Sequence, residues 1–157
     1  MDLSELAEPA APPREIGIHE AATSDTEGVL ELAAWRWNVP EEVVPKLPGI
    51  ARAFEIGLPG GAVRRWVARQ DGVPVSKVIL NLAAGAAGIY GVATKPEARG
   101  LGLARILTFQ ALHAARVAGY SLSVLHSTPM AVGLYEKVGF RAIAPFRIFA
   151  PPRAFHV

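Results

Sequence analysis

The chain contains no cysteine, which removes a disulfide framework, a thiolate metal site and a cysteine nucleophile from consideration. Its first residues, Met1 to Pro13, lack both a basic start and an apolar segment, so they do not read as a signal peptide. Long uninterrupted apolar runs are also missing. The uncharged stretch from Val78 to Thr94 comes nearest, but Asn81, Gly85, Gly88 and Gly91 break it, and its Ala-Gly centre reads as a turn between two strands rather than a membrane span. Charged residues make up only 19% of the sequence and form no dense Lys/Arg stripe with interleaved aromatics, which argues against a nucleic-acid partner.

What remains is a chain of 157 residues, 51% hydrophobic, enough for one domain with its own core. The formal net charge is +2, yet Met1 to Pro13 carries Asp2, Glu5 and Glu8 and no basic residue, so the remainder is more basic than the total suggests. Such a surface favours an anionic ligand. The Ala/Pro/Glu composition of residues 1–13 predicts a flexible N-terminal tail, with 14–157 as a single domain.

Alternation at Ile16 and Ile18 predicts a first strand ending near Glu20, and Ser24-Asp25-Thr26-Glu27 forms a capping box for a helix from about Asp25 to Trp35. Prolines at 40, 45, 48 and 59 and the Gly60-Gly61 pair then allow only short helices, the best at about Ile50 to Ile56. Trp35 and Trp37 precede that region as either core residues or the wall of an acceptor pocket. Val63 to Arg69 and Val75 to Leu82 flank Asp71-Gly72, a tight hairpin, with Arg64, Arg65 and Arg69 read as solvated. Ile89 to Thr94 is a further strand. Beyond it, Leu103, Ile106, Leu107, Ala111, Ala114, Ala115 and Ala118 trace one face of a long helix that Gly119 stops. Ser121 to His126 is a strand whose helical crossover makes it parallel to Ile89 to Thr94. Thr128-Pro129 opens the next helix, with Thr128 as its cap, and Gly139 closes it. Phe140 to Ile143 and Phe146 to Phe149 read as a terminal hairpin.

The junction at residues 91–104 carries the chemistry. A helix that begins beside Gly100 and Gly102 exposes unpaired backbone N–H groups with no side chain to keep an anion away, and Arg99 and Arg105 add charge. Arg105 stands where a dinucleotide-binding loop needs glycine, and no Gly-Lys-Ser/Thr is present, so neither of those phosphate loops applies.

Arg99-x-x-Gly102-x-Ala104 resembles the Arg/Gln-x-x-Gly-x-Gly/Ala loop of the GNAT-type N-acetyltransferases, and Leu134-Tyr135-Glu136-Lys137-Val138-Gly139-Phe140 resembles their Leu-Tyr-x-Lys-x-Gly-Phe segment. The resemblance covers about Trp66 to Phe146. It implies an α/β fold with a central mixed sheet of six to seven strands, a splayed parallel pair and about four flanking helices. It further implies acetyl-CoA as cosubstrate, with no metal. Val92, Ala93 and Thr94 would pair with the pantetheine arm, and Arg99, Gly100, Leu101, Gly102, Leu103 and Ala104 would hold the pyrophosphate. Thr128 stands where relatives often carry asparagine, so a cofactor contact there departs from the pattern. Tyr135 matches the tyrosine that protonates the departing thiolate. Relatives often place a glutamate on the strand before the glycine turn; here that region reads Gly88-Ile89-Tyr90. The base is then water, His126 or Glu20. The expected activity is acetyl transfer by direct attack of a primary amine, on a small molecule or peptide, in the cytoplasm, away from membranes. A noncatalytic acyl-CoA-binding regulatory domain is the alternative, and assembly as a homodimer is left open.

Overall fold

The computed structural model describes residues 1–7, 11–21, 26–36, 38–50 and 60–147. Five strands, β1 (Ile16–Glu20), β2 (Val63–Gln70), β3 (Val73–Ala83), β4 (Ala86–Thr94) and β5 (Ser123–Leu125), form one sheet in sequence order. The first four are antiparallel neighbours. β4 and β5 run parallel, because the helix α2 (Leu103–Val117) carries the chain back across the sheet between them.

Turn chemistry sets the two central hairpins. Asp71 and Gly72 adopt φ 50° and 80°, and Ala84 and Gly85 adopt φ 49° and 76°, the left-handed pairs that match the twist of adjoining strands. β3 is buried on both faces through its middle, from Pro74 to Val78, which explains its near-continuous apolar sequence.

One face of the sheet holds the main core. Trp66, Val78, Leu80 and Ile89 meet Leu103, Leu107, Ala111 and Leu112 of α2, and Tyr135 and Val138 of α3 (Val132–Val138) join them. Leu107 and Leu112 are fully buried, each contributing on the order of 2 kcal/mol. On the other face, Val67 packs against Val29 and Leu32 of α1 (Thr26–Arg36). Residues 47–50 are also helical.

Several expectations need correcting. The opening residues, which composition alone reads as a loose tail, dock along β5: Ser123 N–H donates to Met1 O at 2.9 Å, and Leu3 N–H to Ser121 O at 2.8 Å. Leu3 and Leu6 are buried in the main core. Two leucines within the first six residues are too sparse a pattern to signal packing. β5 is half its expected length, spanning three residues rather than six. Phe140 to Ile143 is irregular rather than a strand, with Ile143 93% exposed. The sheet therefore has five strands among the described residues, against the six to seven expected. The capping-box residues Ser24 and Asp25, Trp37, residues 51–59 of the expected short helix and residues 148 and 149 of the expected last strand lie outside the described residues. Among the described residues, no helix is long and apolar enough to cross a membrane.

Candidate active site

β4 begins paired on both sides and ends paired on one. Its register with β5 is Ala87 to Ser123, Gly88 to Val124 and Ile89 to Leu125, and it stops there. From Tyr90 to Thr94 the edge facing away from β3 has no strand partner among the described residues. A row of peptide donors and acceptors is thus left for an extended ligand.

A bulge accompanies the divergence. Lys77 of β3 pairs with Ala93 and Ile79 pairs with Tyr90, so Gly91 and Val92 together oppose Val78. Gly91 takes φ 55°, the conformation that bends the strand here. Of the expected cofactor residues on β4, Val92 is partly buried against the main core, Ala93 is buried, and Thr94 shares a 2.7 Å hydrogen bond with Ser76 Oγ.

Thr94 leads within two residues into a single 3-10 turn, Pro96–Ala98, and then into the glycine turn. Gly100 and Gly102 adopt φ 80° and 73°, and nothing lies within 4 Å of where a Cβ on either would sit. The first bond of α2 runs from Ile106 N–H to Gly102 O at 3.0 Å, so the N–H groups of Leu103, Ala104 and Arg105 have no partner within the helix. Leu103 anchors that end in the core at 1% exposed, while Leu101 stands out at 40%. Arg99 makes a long 3.5 Å contact to Thr94 O, and the Arg105 guanidinium lies over the Phe109 ring. Free amides, an open glycine cradle and two guanidinium groups fit a diphosphate. The unpaired β4 edge fits the amide-bearing arm of an acyl-CoA.

Across the divergence, Thr128 is exposed and precedes the 3-10 turn Pro129–Ala131, but its hydroxyl makes no capping hydrogen bond. Its carbonyl takes the role instead, accepting from Ala131 N–H at 3.0 Å and Ser127 Oγ at 2.8 Å. α3 follows and ends at Gly139, whose φ of 111° turns the chain so that Phe140 N–H donates to Tyr135 O. Tyr135 is 8% exposed, its ring edge-on to Phe140 at 6.0 Å. Burial pushes its phenol above the ordinary tyrosine value, so it is protonated at neutral pH. Among the described residues no hydrogen bond holds its hydroxyl, and no fully buried side-chain oxygen lacks a partner, so the hydroxyl keeps contact with solvent.

The two protein bases considered from sequence part company. Glu20 lies on β1, separated from β4 by β2 and β3, and both of its oxygens accept hydrogen bonds of 2.7 Å from Arg64. Those bonds hold its carboxyl below the ordinary range. His126 follows the last β5 pair, directly across from Tyr90. Its ring stacks on Phe146 at 3.9 Å and meets the Tyr90 ring edge-on at 6.4 Å, so the three aromatics line the mouth of the divergence. Trp35 is 41% exposed on α1. Sequence reasoning passed over Lys77, a buried lysine behind the β4 bulge. The available signal was a single charge inside the apolar run from Val73 to Leu80.

The family model described as Acetyltransferase (GNAT) family matches residues 29–140. This chain belongs to the GNAT family of acetyltransferases. Its fold is that of several solved GNAT-like structures. An acetyltransferase from Trypanosoma brucei is 23% identical with a TM-score of 0.69, over 87% of this chain and 99% of that one. A predicted acetyltransferase from Clostridium acetobutylicum, solved with acetyl-CoA, is 15% identical with a TM-score of 0.68, over 86% and 96% of the two chains. Glucosamine-6-phosphate N-acetyltransferase from Arabidopsis thaliana is 17% identical with a TM-score of 0.65, over 86% and 99%. No curated protein matches the sequence.

Proposed function

We propose that this GNAT protein is an acetyl-CoA-dependent N-acetyltransferase that acts on a primary amine of a small molecule or peptide by direct attack, in the cytoplasm. The observation that carries the reading is the β4 edge, freed after Ile89 and continuous with the Gly100 to Gly102 turn and the unpaired amides of α2. Backbone groups of Val92 to Thr94 would hold the pantetheine arm, and Arg99 to Ala104, with their amides and the Arg99 guanidinium, the diphosphate. The Thr128 hydroxyl, exposed and without a capping bond, is free to touch the pantetheine arm.

When bound, acetyl-CoA supplies an activated acetyl thioester. An N–H of the bulged segment near Val92, aimed at the carbonyl oxygen, would stabilise the negative charge that grows there during attack more than it stabilises the starting thioester. Tyr135 is the acid. Its phenol is protonated, its ring is fixed in the core and its hydroxyl touches solvent, which together suit proton donation to a departing thiolate. Glu20, bound to Arg64 on the far side of the sheet, does not serve as base; water or His126 remains to carry the proton from the amine.

The absence of a carboxylate from Gly88 to Thr94 favours the second reading, a noncatalytic acyl-CoA-binding regulatory domain. Mixing the protein with acetyl-CoA and a panel of amines, while free thiol is monitored, separates the two. Amine-dependent thiol release supports the enzyme; binding without release across the panel supports the regulatory domain.

A further inference from the structure

Of the lysines in the sequence, Lys77 alone is buried, at 2% exposed, whereas Lys46 and Lys137 are exposed. It stands on β3 between Val67 of β2 and Ala93 of β4, on the sheet face that carries α1. The bulge lies directly beside it: a Cβ on Gly91 would sit 3.1 Å from Lys77 Nζ and 3.2 Å from Ile79 Cδ1. Glycine at 91 therefore leaves the amine facing the bulged backbone with nothing between. Among the described residues no hydrogen bond or ion pair holds Nζ, and no fully buried side-chain nitrogen lacks a partner, so the small solvent contact that Lys77 keeps is at its amine.

Burial, and then the Arg65 charge on the neighbouring strand, lower this amine from 10.5 to about 8. Roughly a tenth of the amine is then neutral at pH 7, far more than for an ordinary lysine, and the neutral amine is the nucleophilic form. We propose that Lys77, with its amine against the β4 bulge, is an acetyl acceptor within the chain itself. The proposal rests on the reading of the β4 edge as an acetyl-CoA site.

In the transfer, the Lys77 nitrogen forms a bond to the carbonyl carbon of the thioester and the carbon–sulfur bond breaks. Sulfur leaves with the electron pair and gains a proton as the nitrogen loses one, giving Nε-acetyllysine and free coenzyme A thiol. No other reactant is required. The product replaces a desolvated cation by a neutral amide, which favours it in this environment.

The test needs no external acceptor. The full-length protein is incubated with acetyl-CoA alone, and peptide mass mapping measures acetyl occupancy at Lys46, Lys77, Lys95, Lys137 and the N-terminal amine. Coenzyme A binding is measured separately by calorimetry. The expected result is Lys77 acetylated at least tenfold faster than any other amine, with this selectivity lost in Gly102→Val and when acetyl phosphate replaces acetyl-CoA. Coenzyme A binding with Lys77 left unmodified, or modified no faster than Lys46 and Lys137, overturns the proposal alone. Absence of coenzyme A binding overturns it together with the acetyl-CoA reading.

Discussion

The Glu20 carboxylate accepts two hydrogen bonds from one guanidinium, from Arg64 Nε and Nη2, each at 2.7 Å. This fork ties the end of β1 to β2 and depresses the Glu20 carboxyl below its ordinary 4.5. A depressed carboxyl contributes stability that is present above its unfolded value and is lost as pH falls through the folded one. Both side chains are partly exposed, so the pair is worth about 0.2–1 kcal/mol. Glu20→Gln should therefore lower the melting temperature slightly at neutral pH, with the difference from wild type closing as pH drops below the ordinary carboxylate range. Acetyl transfer by this variant should match wild type; a large loss would return Glu20 to the mechanism.

Lys77→Met should stabilise the protein at neutral pH. The lysine amine is held near 8 by burial and by Arg65, against 10.5 unfolded, and each unit is ~1.4 kcal/mol, so keeping it charged inside costs roughly 3 kcal/mol. Between about pH 8 and 10.5 the unfolded chain binds the extra proton, so wild-type stability rises with pH across that window. Methionine removes that rise. Thermal melts of both proteins across pH check it; parallel curves would mean the amine is better solvated than its burial implies.

Tyr135→Phe keeps the ring against Phe140 and removes only the hydroxyl. Turnover should fall by about 10²-fold, while coenzyme A affinity measured by calorimetry stays within a factor of about two. Unchanged turnover would remove the phenol from proton transfer, and a parallel loss of affinity would make its role one of binding.

Gly102→Val places a β-branched residue at φ 73° beside amides that have no partner in α2. Coenzyme A affinity should drop at least tenfold, about 1.4 kcal/mol, with the circular dichroism spectrum preserved. Full affinity in a folded variant would place the diphosphate elsewhere.

The parts of this fold legible in the sequence are those set by local rules. Asp71-Gly72 dictated one hairpin, and the spacing from Leu103 to Ala115 dictated α2 and its buried face. The resemblance carried by Arg99 to Ala104 and Leu134 to Phe140 then pointed to the family and the splayed strands. What escaped depends on partners remote in sequence. Leu3 and Leu6 lie in the core where the chain start bonds to Ser121 and to Ser123 of β5. Phe140 to Ile143 reads as a strand in sequence, yet makes no strand pairing among the described residues. Lys77 shows in the sequence only as one charge in an apolar run, and its burial depends on the strands on either side of it. The Thr128 hydroxyl, expected to cap, is replaced in that role by its own carbonyl.

The most direct test of the account is a coenzyme A titration followed by backbone amide chemical shifts. With the cofactor seated as proposed, the largest perturbations fall at Val92 to Thr94 and at Gly100 to Arg105, whose peptide groups include ones without strand or helix partners among the described residues. Saturable binding that leaves both segments unshifted, or no binding at all, would contradict the account.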